Sequence, residues 1–428
     1  MMLSVIGIIF FGTIIIGVPV AFGMGLAGAS WILFFEGIEP TILARRFYYA
    51  LGSFPLLAIP LFVMLGILAD RAGMLPRMVV WLQMLFGRTR GGMAYINVVA
   101  AMLFAGISGT AVSDIASLGR VLIQLMTRAG YPLVYSAALT AATSIIGPII
   151  PPSVAMIIYA LSVGNVSVGA MFAGGAIPGV LFGGGFLVMA WYATWRGKYG
   201  VVREWPPLRE IGRQTLIVLP LLVLPLIIIG GILSGVFTVT ESAAIGVAYT
   251  ALIGFLSTPR LRLRDVYDAT IYAAIISAVA GMLLGVGAIV SWILTLNQVT
   301  QHLSDLLVAT TASPLVFMLL VAFALFILGM LMDAVPIMIA LAPLLAPIAK
   351  QYGIDDVQFG LVFVVTCMIG LVTPPVGIIL FMTSNIAGVK LERLSLAVAP
   401  FVIWMVTVVI LMIFFPAITL WLPRLVGL

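Results

Sequence analysis

From Leu216 to Leu233 the chain runs without one charged residue, and apolar runs of this kind recur from one end to the other. A helix needs about 20 mostly apolar residues to cross the hydrocarbon core of a bilayer. Backbone groups there must bond inside the protein, so only helices or a closed barrel can span. These runs are continuous, without the period-two alternation of a barrel strand. Only 8% of the 428 residues are charged and 63% are hydrophobic, against about 25% charged in a soluble domain. Water is not the main solvent, and the length reads as a series of spans. The net charge of +6 lies in short loops between apolar runs. That pattern fits the positive-inside rule and not a nucleic-acid partner.

Other chemistries are excluded by what the chain lacks. Its single cysteine, Cys367, cannot form an internal disulfide and sits in an apolar run. One histidine, His302, cannot build a metal site. There is no Walker A motif, no cluster of metal-binding residues and no nucleophile elbow. The chain is therefore read as neither an enzyme nor an ATP-driven pump, and no organic cofactor is expected.

Along the chain, Leu3–Phe35 reads as a retained first span, since no basic residue precedes it. Leu51–Leu68 is broken by Pro55 and Pro60. Leu75–Phe86 is short enough to be interfacial or tilted, and Met93–Ile107 follows. Leu133–Ile146 and Val154–Leu161 are each too short to cross alone and flank the turn Gly147–Ser153, which suggests a re-entrant hairpin. Val168–Trp195 spans. Arg196–Arg213 holds Arg196, Lys198, Arg203, Arg209 and Arg213 against Glu204 and Glu210, and is placed in the cytoplasm. Leu216–Leu233 and Ala243–Leu256 form a pair that returns to the basic loop at Arg260, Arg262 and Arg264. After Ile271–Leu296, the runs Leu315–Leu331, Pro336–Ala349, Phe359–Ile369, Gly377–Phe381 and Leu396–Leu422 complete the chain.

Two parts of this series match. GISGTAVSD at 106–114 is followed by IGPIIPPS at 146–153, and LGMLMD at 328–333 is followed by IGLVTPPVG at 369–377. Each Ile-Gly-x-x-x-Pro-Pro turn lies at a similar distance from a polar break carrying an aspartate, 39 residues from Ser108 to Gly147 and 41 from Gly329 to Gly370. Many transporters consist of two inverted copies that hold substrate and ions on broken helices at the midplane. Amino-terminal ends of half-helices there attract anions, and freed carbonyls can hold Na⁺. Prolines at 151–152 and 374–375 keep carbonyls available. Asp114 and Asp333 are the acids nearest the interior, where a charge defaults to a functional role. Each could ligate a cation, orient a ligand or pair with a basic residue, or simply sit near an interface or cap the helix that follows.

These motifs, together with GVPVAFGMG at 17–25 and IPLFVMLGIL at 59–68, resemble the large membrane subunit (DctM-like) of the tripartite ATP-independent periplasmic (TRAP) transporters, over essentially the whole chain. The resemblance implies an Na⁺-driven, elevator-type secondary carrier in a bacterial inner membrane. It implies two partners, a small four-helix membrane subunit and a soluble periplasmic solute-binding protein. Carried over by motif, one Na⁺ site involves Ser108, Gly147, Ile150 and Pro152, and a second involves Gly329, Gly370, Thr373 and Val376. Asp114, Ser153 and Asp333 would support the ions or meet the solute, a small organic anion bound between the two tips.

The expected architecture is thus an all-α polytopic membrane protein of two inverted repeats, each with a re-entrant helical hairpin. Scaffold helices fill 1–92 and 214–312, and 196–213 is the cytoplasmic loop. The transport repeats are 93–195, with its hairpin tip near 147–153, and 313–428, with its tip near 370–377. The residues leave two rivals open: a stand-alone Na⁺-coupled dicarboxylate or citrate carrier without a binding protein, and a membrane scaffold that transports nothing.

Overall fold

The computed structural model describes all residues except 1, 35–38, 88, 90, 198, 200–205, 258–259 and 311–312. Lys198, Arg203, Glu204 and Trp205 of the basic stretch therefore lie outside the described residues. Among the described residues the regular structure is entirely helical. Eight helices among the described residues are long and apolar enough to cross a membrane by length and composition.

The first group is α1 (Met2–Ile15), α2 (Val20–Phe34), α3 (Thr41–Leu51), α4 (Ala58–Arg71) and α5 (Met74–Phe86). The expected single span over Leu3–Phe35 is instead a pair of helices. Gly17, at φ 85°, turns the chain ahead of Pro19, and the bare face of Gly23 leaves room for the Thr13 hydroxyl. Next come α6 (Gly92–Ser108), α7 (Ala111–Asp114), α8 (Arg120–Arg128), α9 (Leu133–Ser144), α10 (Val154–Val163) and α11 (Val168–Gly197). A π-helical turn, Ile115–Gly119, joins α7 to α8. Then α12 (Leu208–Leu233), α13 (Val239–Leu256), α14 (Leu263–Leu296) and α15 (Val299–Thr310) precede α16 (Pro314–Leu331), α17 (Ala334–Gln351), α18 (Asp356–Gly370), α19 (Ile378–Ala387), α20 (Leu391–Phe414) and α21 (Ala417–Val426). The last predicted run, Leu396–Leu422, is broken where Pro416 ends α20's extension and starts α21.

The two matching stretches fold alike, and each contains a re-entrant hairpin, but not where the proline pairs suggested. In the first unit, α6 runs down and α7–α8 runs back. Asn97 near the start of α6 reaches Met126 near the end of α8 with Nδ2 3.2 Å from its sulfur, so the tip is at Ser108–Thr110. In the second, Phe317 at the start of α16 stacks on Tyr352 just past α17, with ring centroids 4.7 Å apart. Its tip is at Met332–Asp333. The turns at 147–153 and 370–377 instead interrupt single crossings. Tyr131, just before α9, has its hydroxyl 3.3 Å from that of Thr194 at one end of α11. Ile150 packs on Gly179 midway along α11, and α10 ends where the link to the start of α11 begins. The path α9–turn–α10 therefore runs antiparallel along the whole of α11. Likewise Gln358 in α18 donates to the carbonyl of Met412 (3.1 Å) at the far end of α20, while α19 leads into its start. Flanks too short to cross alone do cross when placed end to end.

The two units are inverted. Tyr131 and Gly91, at the open end of the first hairpin, lie against Thr194 near the carboxyl end of α11. The open end of the second hairpin lies toward the other end. Phe317 packs on Phe359, and the neighbouring α18 residues Val357, Gly360 and Leu361 face Gly174 and Met171. The units also interlace, since α10 packs on α17 and α18, and α19 packs on α9. Two glycines of the 183–185 triplet admit large side chains, Met102 at Gly183 and Trp404 at Gly185, which is the close packing that small residues allow.

The remaining helices pack mainly on each other. The pairs α4 with α13, α4 with α14, α14 with α2 and α3, and α12 with α5 and α13 are in contact. Arg71 at the end of α4 binds Asp265 (3.2 Å) and Asp268 (3.0 Å) of α14. Glu241 and Thr238 form a reciprocal cap at the start of α13, as its position after an apolar loop suggests.

Candidate functional site

Each hairpin tip meets the broken helix of its own unit. At the first junction α6 ends on Ser108, and Gly109 at φ 64° turns the chain. The hydroxyl of Thr110 accepts from the Ser113 N–H (3.3 Å) and caps α7, which frees Asp114 from capping. The Ser108 hydroxyl donates to Asp114 Oδ1. Asp114 Oδ2 is buried without a hydrogen-bond partner and lies against Gly147, where a Cβ would collide with it. Across the junction Val154 N–H donates to the Gly109 carbonyl (3.2 Å). A Cβ on Gly109 would come within 2.6 Å of the Pro152 carbonyl oxygen. The carbonyls of Gly147, Ile150 and Pro152 accept no backbone hydrogen bond from the described residues. The carboxylate oxygen of Asp114 beside Gly147, the Ser108 hydroxyl and the unbonded carbonyls of the adjoining turn are all oxygens, the ligand type a hard cation takes. The π-helical turn that follows Asp114 is of the kind found at functional sites.

At the second junction the contact is backbone on backbone. A Cβ on Gly329 would come within 2.8 Å of the Cys367 carbonyl oxygen and 3.2 Å of Gly370 Cα. Val376 N–H donates to the Met330 carbonyl (3.2 Å). The Gly329, Thr373 and Val376 carbonyls accept no backbone hydrogen bond from the described residues. The Thr373 hydroxyl, buried, donates to Ile369 (2.8 Å).

The eight residues proposed for cations thus fall into two clusters, one per junction, and the three supporting residues separate. Asp114 lies inside the first cluster. Asp333 is exposed and caps α17, accepting from Val335 N–H at 3.5 Å. Ser153 is fully buried, and its hydroxyl is used twice, donating to Pro148 (2.6 Å) and accepting from Met156 N–H (3.2 Å). It caps α10 and does not face a solute. Gly109 and Met330, whose carbonyls tie tip to break, carry no side-chain signal in the sequence. Gly109 was nevertheless detectable as the glycine that follows a helix end. Gly66 of α4 and Pro225 of α12 bring the second group of helices onto the first tip. A Cβ on Gly66 would lie 3.3 Å from Ser108 Cα, and one on Gly106 would lie 3.0 Å from Pro225 Cγ. The two junctions also differ in cover, since Pro151 and Pro152 are buried while Pro374, Pro375 and Val376 are exposed.

Comparison with known proteins shows the family. The family model for the DctM component of the tripartite ATP-independent periplasmic transporters matches residues 7–418. The 2,3-diketo-L-gulonate TRAP transporter large permease protein YiaN of Escherichia coli is 33% identical over 406 residues, 95% of each chain. The sialic acid TRAP transporter large permease protein SiaM of Vibrio cholerae is 33% identical over 417 residues, 97% of this chain and 96% of that one. The crystal structure of the Alcanivorax borkumensis YdaH transporter, described as having an unusual topology, superposes with a TM-score of 0.61 over 87% of this chain and 86% of that one. At 16% identity this likeness concerns the fold alone.

Proposed function

The chain belongs to the DctM-component family of the tripartite ATP-independent periplasmic transporters, and from that premise we propose that it is an Na⁺-coupled carrier of a small organic anion. It is a membrane transport protein and not an enzyme. In the proposed cycle, Na⁺ enters the two junctions as co-transported substrate. Ser108, Asp114 and the carbonyls of Gly147, Ile150 and Pro152 hold one ion, and the carbonyls of Gly329, Gly370, Thr373 and Val376 hold the other. With the ions in place both breaks are ordered, and the amino-terminal ends of α10 and α19, which begin at the breaks, favour an anion between the tips. Reciprocal linkage then requires solute to raise Na⁺ affinity by the factor by which Na⁺ raises solute affinity.

The observation that carries this reading is the partnerless Oδ2 of buried Asp114 beside free carbonyls. A lone buried carboxylate oxygen is costly unless something positive meets it. The two interlaced units, 93–195 with 313–428, would move together as the transport body against 1–92 and 214–312, an elevator. The contacts of Gly66 with Ser108 and of Pro225 with Gly106 lie on that moving boundary. The named relatives carry sugar acids, so a carboxylate is the proposed solute class. A small four-helix membrane subunit and a soluble periplasmic binding protein are the proposed partners, in a bacterial inner membrane.

The test is reconstitution in liposomes with a small membrane subunit and a periplasmic binding protein from the same genome, measuring uptake of candidate organic acids under an imposed Na⁺ gradient. Uptake that needs both Na⁺ and the binding protein is expected. Uptake that needs Na⁺ and ignores the binding protein would replace the tripartite reading with a stand-alone carrier. Uptake indifferent to Na⁺ would remove the ion assignment.

A further inference from the structure

The two ion sites, although related by the repeat, differ in charge. Asp114 is the only acidic or basic side chain in the buried set among the described residues. Its Oδ1 is held by Ser108, and its Oδ2 is left over beside Gly147. The corresponding place in the second unit holds no such group. Asp333 sits at the tip itself, exposed and near enough to Cys367 for its charge to act there, with its carboxylate turned to the α17 amino terminus. What lines the second junction is the paired backbone of Gly329 and Gly370, with the Cys367 carbonyl beside it. The difference arises in the chain itself. The first tip continues through Gly109 and Thr110 into a capped turn that carries Asp114 back inside. The second goes from Met332 straight to Asp333, which must cap the next helix itself.

We infer that the two cations load in a fixed order, the first at the Ser108–Asp114–Gly147 junction and the second at the Gly329–Gly370 junction. This rests on the Na⁺ reading above. A full negative charge a few ångströms from an ion, away from water, stabilises it far more than carbonyl dipoles alone. The first site therefore fills at lower Na⁺ and fixes the first break against Gly147. The oxygens lining the second site are neutral, the nearby Asp333 carboxylate being engaged by the α17 amino terminus, and its break at Pro374–Val376 is exposed. It fills last, and its occupancy is the step that closes around solute. Asp114 is thus the residue that makes the paired sites unequal.

The experiment is equilibrium binding of radioactive Na⁺ to the purified full chain in detergent, by scintillation proximity, with choline holding ionic strength constant. Two phases are expected. Asp114→Asn, close to isosteric, should weaken the tighter phase by about tenfold or more and leave the weaker one in place. Gly329→Ala, which sets a methyl against the Cys367 carbonyl, should remove the weaker phase and spare the tighter. If Asp114→Asn does not give monodisperse protein, Ser108→Ala serves instead. It keeps the charge, so its tight phase should weaken and still remain the tighter of the two. An Asp114→Asn protein that keeps the tight phase, or a Ser108→Ala protein in which the order reverses, would overturn the loading order while leaving Na⁺ coupling intact. Wild-type protein that binds no Na⁺ above the choline background would overturn the Na⁺ reading itself, and the order with it.

Discussion

Gly147 has no room for a side chain, because Asp114 Oδ2 occupies the place where a Cβ would go. Gly147→Ala should therefore cost about 1–3 kcal/mol in stability, as overpacking does, and abolish solute uptake, read by thermal unfolding and by liposome transport. Gly353 makes the control. Unlike Gly147 it has a left-handed backbone, at φ 73°, and nothing lies within 4 Å of its absent Cβ. Gly353→Ala should cost only the backbone term of about 1–2 kcal/mol and keep transport. At this scale much was legible in the sequence. Ser108, Asp114, Gly147, Gly329 and Gly370 stand in short polar or glycine islands within apolar runs, and an island at membrane depth needs a reason. Less legible was the direction in which a polar side chain points. Ser153 and Ser108 look alike as serines beside a helix break, yet Ser153 spends both its donor and its acceptor on a cap. Asp114 and Asp333 look alike as acids beside a tip, and one is buried while the other is exposed.

Within the first unit, the hairpin is fastened to the broken helix by Asn97. Its amide donates to the Thr140 hydroxyl (2.7 Å), and its carbonyl oxygen accepts from the Thr143 hydroxyl (3.0 Å). Asn97 is fully buried, and one residue thus ties α6 to α9. Asn97→Leu should destabilise the protein by about 1–3 kcal/mol. In a double-mutant cycle with Thr143→Val the two losses should fall short of additive, since the residues share a bond. Loss of Asn97 should also loosen the register between the tip and Gly147, so the Na⁺ concentration for half-maximal uptake should rise. It was at the level of elements that the sequence misled. A re-entrant hairpin and a broken crossing present the same string: apolar half, polar break, apolar half. Flank length favoured a hairpin at the proline pairs, because neither Leu133–Ile146 nor Val154–Leu161 can cross alone. The contacts that decide the matter, Tyr131 with Thr194 and Gln358 with Met412, join residues far apart in the chain and leave no local trace.

Across the whole molecule, inversion makes a prediction about sides. The open end of the first hairpin lies by the carboxyl end of α11, next to the basic stretch, and the open end of the second lies by the opposite end. Arg128 and Lys350, both exposed, mark the two. Cys367 is buried, so introduced cysteines can be read in the natural background with a membrane-impermeant maleimide. In intact cells Lys350→Cys should label from outside, and Arg128→Cys should label only after the cells are permeabilised. Labelling of both from one side would contradict the inverted arrangement. The overall class, a membrane protein of two matched halves, follows from composition and from the paired motifs. How the halves clasp does not, because α10 reaches across to α17 and α18, and α19 reaches back to α9. That clasp has a consequence for how the protein is made. The ribosome delivers the first unit long before the second, with the whole of α12–α15 in between. Until α16–α20 emerge, α9 and α10 lack many of their neighbours, and the π-helical turn after Asp114 lacks its contact with α19. The newborn first unit must therefore wait, inserted but unclosed, and the last step of biogenesis is the lacing of a late unit through an early one.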